Sequence, residues 1–371
     1  MTPPDESQAA RSPSGPSQGE VIMLAGLACV IFVGVISLLT NYFVLVDGFA
    51  DSSAYMSVGS AIRRWDFHGL SILQFWGLPY LMALTSILTR ASDRTSLLLI
   101  SFVSYFVSIW LAHRLWGGWV AGFFAVINFD WMQRAFLGGA EPLFVALLLA
   151  SFLMVRRQRW LPAALLASLS TIVRPLGFLA LAAVGIALLW RREYRKLASA
   201  ALLALVIGSL YIWPLWRYFG NPLAPVTAYQ YVDPSTRWIF GFPFYAIIKG
   251  TLMYPSPWTN LVLSFGWILF VLTGILAMFM TKHFRDYAKA YPVEVIFAGG
   301  YLFLLFCYNS PIFARGNFAR FAVPVIPFVA VALYAWIPKS RPALWVLGAI
   351  SPVLAACSAV GINNVLHMLA H

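Results

Sequence analysis

The chain has 371 residues, of which 61% are hydrophobic and only 10% charged. Soluble domains carry roughly 25% charged residues, so a water-soluble globular fold is excluded. The net charge of +12 does not point to nucleic acid, because Arg and Lys fall in short clusters between apolar runs, which is the pattern of cytoplasmic loops in a membrane protein.

Residues 1 to about 19 are rich in Pro, Ser, Gln and Gly and read as a disordered cytoplasmic tail, leaving 20–371 as one transmembrane unit. The first apolar run, 21–46, is too long for a signal-peptide core and lacks an obvious cleavage site, so it reads as a retained span. Further runs follow at 95–113, 117–137, 142–155, 160–173, 176–190, 197–218, 259–281, 291–308, 321–337 and 342–361. Together they predict an all-α integral membrane bundle of about 11 transmembrane helices, although several runs are short for a hydrocarbon core of about 30 Å. The ~10-residue alternating segments of a β-barrel do not occur. Cys29, Cys307 and Cys357 sit inside apolar runs and read as small core residues.

The stretch 70–88 is the ambiguous one. Four basic clusters, Arg156/Arg157/Arg159, Arg191/Arg192/Arg195/Lys196, Lys282/Arg285/Lys289 and Lys339/Arg341, should share the cytoplasmic side. With the N-terminus inside, that holds only if one of 70–88, 95–113 and 117–137 fails to cross. The stretch 70–88 has His68 and Gln74 near its start, Pro79 near its middle, and Arg90 and Arg94 just after it. It is therefore expected to form helices in the outer interface. Every long loop then lies outside, and long loops tend to carry function.

Several residues on that outer face could do chemistry. Asp51 follows the first span. A carboxylate at the mouth of a bundle can act as a general base or bind a divalent cation, and it can equally be a solvated loop acid. Glu141 opens an apolar run with Pro142 behind it. It reads either as an acid facing a polar cavity or as a first-turn acid favoured by the helix dipole. Arg174 lies at the outer end of a hairpin, where topology does not ask for positive charge; it can grip phosphate with its planar fork or merely snorkel. Arg315 and Arg320 precede another span and could join it in a pocket for an anionic headgroup, or could contact ordinary lipid headgroups. The turn around Asp130, Arg134 and Glu141 shares the same face. The loop from Phe219 to about Trp258 carries Tyr229, Tyr231, Trp238, Tyr245 and Tyr254. Such aromatic groups form an interfacial belt or stack on sugar faces. The five histidines are scattered and take no role. No phosphate-binding glycine loop, nucleophile elbow or zinc motif is present.

Several segments, in order, resemble the C-type glycosyltransferases, in their mannosyltransferase-like branch. Asp51 with Tyr55 and Ala61 resembles the first outer loop of that family, and Gly77-Leu78-Pro79-Tyr80 resembles the loop's juxtamembrane helices. Glu141-Pro142-Leu143-Phe144 is similar to the acid that opens a later span. Thr171 to Gly177 is similar to the Thr-Arg-Pro-Gly turn, and Phe219-Gly220-Asn221-Pro222-Leu223 to the Gly-Asp/Asn-Pro start of a loop. Arg320-Phe321 with Pro324 and Pro327 is similar to the late Arg-aromatic element. The resemblance covers about residues 20 to 335. Ser52 stands where many members have a second acid, and no soluble C-terminal domain follows, so acceptor contacts fall to the loops.

The resemblance implies sugar transfer from a polyprenyl-phosphate donor to a hydroxyl of a lipid, glycan or protein, with inversion, at the outer face of a bacterial inner membrane. Asp51 would be the general base and Glu141 a second acid at the reacting centre. Arg174, Arg315 and Arg320 would hold the donor phosphate, and Tyr55, Tyr229 and Trp238 would contact substrate. A divalent cation is left open, with Asp51 as its candidate ligand. The competing reading is a transporter or flippase of lipid-linked glycans or small molecules. Against it, the chain shows no two-half symmetry and few deep charges.

Overall fold

The computed structural model describes residues 15–49, 51–68, 70–71, 73–225, 227, 238–253 and 258–370. They form helices and no strand; the one β-type contact is an isolated bridge between Phe240 and Tyr308. Five helices among the described residues are long and apolar enough to cross a membrane: 18–39, 93–116, 194–219, 261–280 and 341–361. Two further pairs, 129–136 with 141–156 and 282–290 with 292–307, qualify as bent units, at 105° and 115°. The helices at 77–89, 160–173, 175–190 and 318–332 are apolar but shorter. At 1.5 Å per residue, the 14 residues of Trp160–Val173 reach about 21 Å, less than a full hydrocarbon core.

Three of the expected continuous spans are interrupted, for local chemical reasons. The run 21–46 divides into helix α1 (Gln18–Leu39) and helix α2 (Tyr42–Gly48). Asn41 lies between them and caps the second helix by accepting from the backbone N–H of Phe43 and Val44. The run 117–137 becomes two helices, Gly118–Val126 and Phe129–Phe136, because Asn128 accepts from the N–H of Trp131 and starts a new helix. The run 321–337 becomes Phe318–Ala322, a 3-10 turn at Val323–Val325, and Ile326–Ala332. Pro324 and Pro327 lack the N–H that a continuous helix would use there. The expected tail is also shorter at its inner edge: Ser17 caps α1 in a capping box with Glu20. Residues 1–14 of that tail lie outside the described residues.

The stretch expected to lie in the interface forms helix α4 (Gly77–Thr89), packed against Ser52–Arg63 and the helices 93–116 and 160–173. Its start is pressed onto the chain just before Arg174. A Cβ on Gly77 would sit 2.7 Å from the carbonyl carbon of Ile172 and the nitrogen of Val173, so only glycine permits the approach.

Packing gives the bundle two distinct ends. At one, Glu20 pairs with Arg341 at 3.4 Å, and His113 lies 3.4 Å from the Pro16 carbonyl. Arg156 donates to Leu115 O at 2.6 Å and to both oxygens of Glu294, at 2.6 and 2.9 Å. Arg191 donates to Gln158 at 2.7 Å. The starts of 18–39 and 341–370 and the ends of 93–116 and 141–156 thus share an end with basic-cluster residues. Asp51, Glu141, Arg174 and Arg320 gather at the other.

Candidate functional site: an acid–arginine cluster at one end of the bundle

Asp51 is the N-cap residue of helix α3 (Ser52–Arg63), a position from which an Asp ordinarily bonds back to the helix. Its carboxylate makes no such cap. Oδ2 accepts instead from Arg320 Nη2, and Arg134 Nη1 stands 3.6 Å away. Glu141 begins the helix Glu141–Arg156, with Pro142 in its first turn. Its Oε1 accepts from both Arg174 Nη2 and Arg320 Nε. Arg320 therefore bridges two carboxylates, and Glu141 bridges two arginines.

Each member comes from a different element, and the local backbone explains its reach. Arg174 is extended at φ −146° and ψ 131°, as the residue before Pro175 must be, which ends the helix Trp160–Val173 with its side chain free to turn toward Glu141. Arg320 rides on the short helix Phe318–Ala322, held by Asn128 Nδ2 donating to Ala319 O at 2.9 Å and by Tyr301 Oη donating to Phe321 O at 2.9 Å. Ser52, in the place of a second acid, is a fastener: its hydroxyl lies 2.9 Å from the carbonyls of Leu137 and Gly138. That bond ties the Asp51 segment to the turn that precedes Glu141. In the same turn a Cβ on Gly139 would meet Arg134 Cβ and Glu141 Oε2, each at 2.9 Å.

The cluster is graded in exposure. The Glu141 side chain is 1% exposed and that of Arg320 11%, whereas Arg174 reaches 19% and Asp51 28%. The open side is thus formed by Asp51 and Arg174. Burial alone would raise the Asp51 carboxyl, but Arg320 and then Arg134 outweigh it and hold the group below its ordinary value, so it is ionised at neutral pH. Tyr55, one helical turn on, is buried. Burial, with Asp51 and Glu141 adding to it, pushes its phenol well above the usual value and keeps it protonated, as a hydrogen-bond donor.

The structure brings together Asp51, Glu141, Arg174 and Arg320, with Tyr55 adjacent. Arg315 belongs to the helix Pro311–Gly316, but its side chain falls outside the described set. Tyr229 also lies outside the described residues. Trp238 is 75% exposed, on a segment that pairs with the chain near Tyr308, and no contact among the described residues ties it to the cluster. Arg134 is a member that the sequence placed on the same face without assigning it a role. Its signal was weak, because one Arg in a mixed turn looks like any surface residue. Among the described residues no three His, Cys, Asp or Glu side chains converge on a metal-sized point.

No protein-family model matches this sequence, and no curated protein aligns with it. Among solved structures, the chain is similar to ArnT from Cupriavidus metallidurans bound to undecaprenyl phosphate, with a TM-score of 0.52 and 15% identity, over 92% of this chain and 64% of that one. A second match is ArnT from the same organism in the apo state, with a TM-score of 0.44 and 15% identity, over 89% of this chain and 62% of that one. The chain thus spans less than two thirds of the neighbour's length. It is an integral membrane protein whose all-helical fold is similar to that of ArnT.

Proposed function

We propose that this protein is a membrane glycosyltransferase that moves a sugar from a polyprenyl-phosphate donor to an acceptor hydroxyl, with the acid–arginine cluster as its active site. The observation that carries the proposal is the joining of Asp51, Glu141, Arg174 and Arg320 into one buried cluster from four separate elements. Burying this many charges has a high desolvation cost, which a purely structural role does not require. The ArnT-like fold supports the donor class, because that neighbour's structure holds undecaprenyl phosphate.

In this reading the donor phosphate sits on the arginine side, at Arg174 and Arg320. The Asp51 carboxylate takes the proton from the acceptor hydroxyl. The acceptor oxygen forms a bond to the anomeric carbon, and the bond from that carbon to the phosphate oxygen breaks. The leaving polyprenyl phosphate keeps the electron pair, and the guanidinium groups stabilise its charge. Attack opposite the leaving group inverts the anomeric centre. Glu141 acts as a positioning residue, fixing Arg174 and Arg320 through one shared oxygen. A carboxylate held at low pKa by Arg320 is a weak base. Phosphate arriving at Arg320 shares the guanidinium charge and raises the proton affinity of Asp51, so that donor binding switches the base on. Tyr55 supplies a protonated hydroxyl beside it. The cluster faces the extracytoplasmic side of a bacterial inner membrane in this account, since the basic loops occupy the opposite end.

The test is transfer in proteoliposomes, using labelled polyprenyl-phosphate sugars, crude envelope acceptors and Asp51→Asn as the control. Label passing to an acceptor with wild type and not with the variant is the expected result. Donor label that only becomes accessible on the opposite leaflet, without transfer, identifies a flippase and refutes the proposal.

A further inference from the structure

A groove of about 610 Å³ runs along the helix Pro292–Cys307, on a face that does not serve the acid–arginine cluster. Its walls are Ile275 and Met278 from the helix Trp258–Met280, and Val295, Gly299, Leu302 and Phe303. Helical spacing separates this face from the next one round, where Glu294, Phe297 and Tyr301 are buried. There Glu294 accepts from Arg156, and Tyr301 donates to the Phe321 carbonyl. From Val295 to Phe306 the groove extends about 16 Å at 1.5 Å per residue, close to one leaflet of a core about 30 Å thick.

The two ends of the groove differ in chemistry. At one, the rings of Phe244 and Phe306 meet at 4.6 Å beside Pro243, and every side chain there is apolar. At the other stands Arg285, the one charged side chain among the described residues that line the groove. Arg285 belongs to the helix Lys282–Ala290, which turns 115° from the helix that follows and so lies near the membrane plane. The exposed face of that helix carries Lys282, Arg285, Asp286 and Lys289, while Phe284 is buried against the groove. This is the build of an interfacial amphipathic helix. Tyr287 pins it in place, accepting from Trp116 Nε1 at 2.8 Å and donating to Glu294. His283 stacks on Tyr334 at 5.3 Å, and Lys339 Nζ lies 4.1 Å from the centre of the same ring, which brings in a further cation. Lys282, Arg285, Lys289 and Lys339 form no ion pair among the described residues, and Asp286 offsets only one of the four charges.

We infer that the groove binds an anionic phospholipid from the leaflet at the basic end, with its phosphate at Arg285 and an acyl chain along Val295 to Phe306. Charge bias puts that leaflet on the cytoplasmic side, and basic pockets between helices on that side suit acidic headgroups. A neutral lipid would leave the cations unanswered, and a polyprenyl phosphate held at the acid–arginine cluster would present no charge to Arg285. The site stands apart from that cluster and does not depend on sugar transfer.

Purified full-length protein, stripped of lipid in neutral detergent, is titrated with phosphatidylglycerol, phosphatidylcholine of the same chains, and undecaprenyl phosphate, and bound lipid is counted by native mass spectrometry. Wild type is expected to hold one phosphatidylglycerol about tenfold more tightly than phosphatidylcholine. Arg285→Gln should lower phosphatidylglycerol affinity by about fivefold, the scale of one basic residue at an anionic surface, and leave phosphatidylcholine unchanged. Gly299→Leu fills the groove at an exposed position where a Cβ meets nothing within 4 Å, and should weaken phosphatidylglycerol binding as well. Two controls should bind as wild type: Arg195→Gln, an exposed cation outside the groove, and Gly266→Leu, an exposed helical glycine outside it. Full phosphatidylglycerol affinity in Arg285→Gln or in Gly299→Leu overturns the inference. Equal losses in Arg195→Gln and Arg285→Gln reduce the effect to general surface charge and overturn it too. A wild type that holds phosphatidylglycerol no more tightly than phosphatidylcholine does the same. Displacement of bound phosphatidylglycerol by equimolar undecaprenyl phosphate would give the groove to the carrier lipid instead.

Discussion

Glu141→Gln is the substitution that most sharply tests whether the cluster is one interdependent unit. The change keeps the shape of a side chain that is 1% exposed and removes one negative charge. Two guanidinium groups then lose their shared carboxylate oxygen. Breaking a buried pair by removing one partner costs about 3 to 5 kcal/mol. Here the loss should fall near the lower value, about 3 kcal/mol, because Arg320 keeps Asp51 and Arg174, at 19% exposure, can reach solvent. The assay is equilibrium unfolding in bicelles by SDS titration, followed by tryptophan fluorescence. A double-mutant cycle with Arg174→Gln should show a coupling energy of at least about 1 kcal/mol, since the second change removes a charge that the first has stranded. If Glu141→Gln matched wild type within about 0.5 kcal/mol and the cycle showed no coupling, the acid and the arginines would not act as a unit.

Four other outcomes follow from particular contacts. Gly139→Ala places a Cβ 2.9 Å from both Arg134 Cβ and Glu141 Oε2; it should cost about 1 to 3 kcal/mol by overpacking and depress activity in the transfer assay more than a matched Ala substitution at the exposed helical Gly266, where a Cβ meets nothing within 4 Å. The Asp51 carboxyl is held below its ordinary pKa, so its ionised form adds stability above about pH 4 that is lost as pH falls further, through its folded-state value. Removing the largest opposing charge with Arg320→Gln leaves burial less opposed, and the acid limb of the pH–rate profile should move toward neutral pH; an unmoved limb would mean that Arg320 does not set Asp51. At the opposite end Arg156→Met strands Glu294, which also accepts from Tyr287; stability should fall by about 3 to 5 kcal/mol in the same SDS titration, with KM for the donor unchanged.

The members of the cluster differ in how plainly the sequence exposes them. Glu141, Arg174 and Arg320 stand at the ends of apolar runs, where a charge near the hydrocarbon is costly and its retention is itself a signal. Asp51 follows the first run, and the side shared by all four could be worked out from the four basic clusters alone. Arg134 could not be found that way, because it stands in a mixed turn and meets Asp51, at 3.6 Å, only once the chain is folded. Glu294 was equally hidden, since its bond to Arg156 joins residues 138 positions apart. The spans are legible as composition but not as continuous helices. Hydropathy averages over a window and so passes across Asn41, Asn128 and Pro324, where single residues cap or stop a helix. Those breaks matter for the site: the interruption at Asn128 starts the Arg134 helix, and the one at Pro324 leaves Arg320 on a short segment able to reach Asp51 and Glu141.

The measurement that bears most directly on the central claim is a single-turnover reaction of purified protein with a labelled undecaprenyl-phosphate sugar and an acceptor extract, reading released undecaprenyl phosphate and glycosylated acceptor together. The account predicts that both appear in equal amounts with wild type, with the new glycosidic bond of inverted configuration, and that neither appears with Asp51→Asn although that variant still binds the donor. Equal turnover by Asp51→Asn would contradict it, as would a bond of retained configuration.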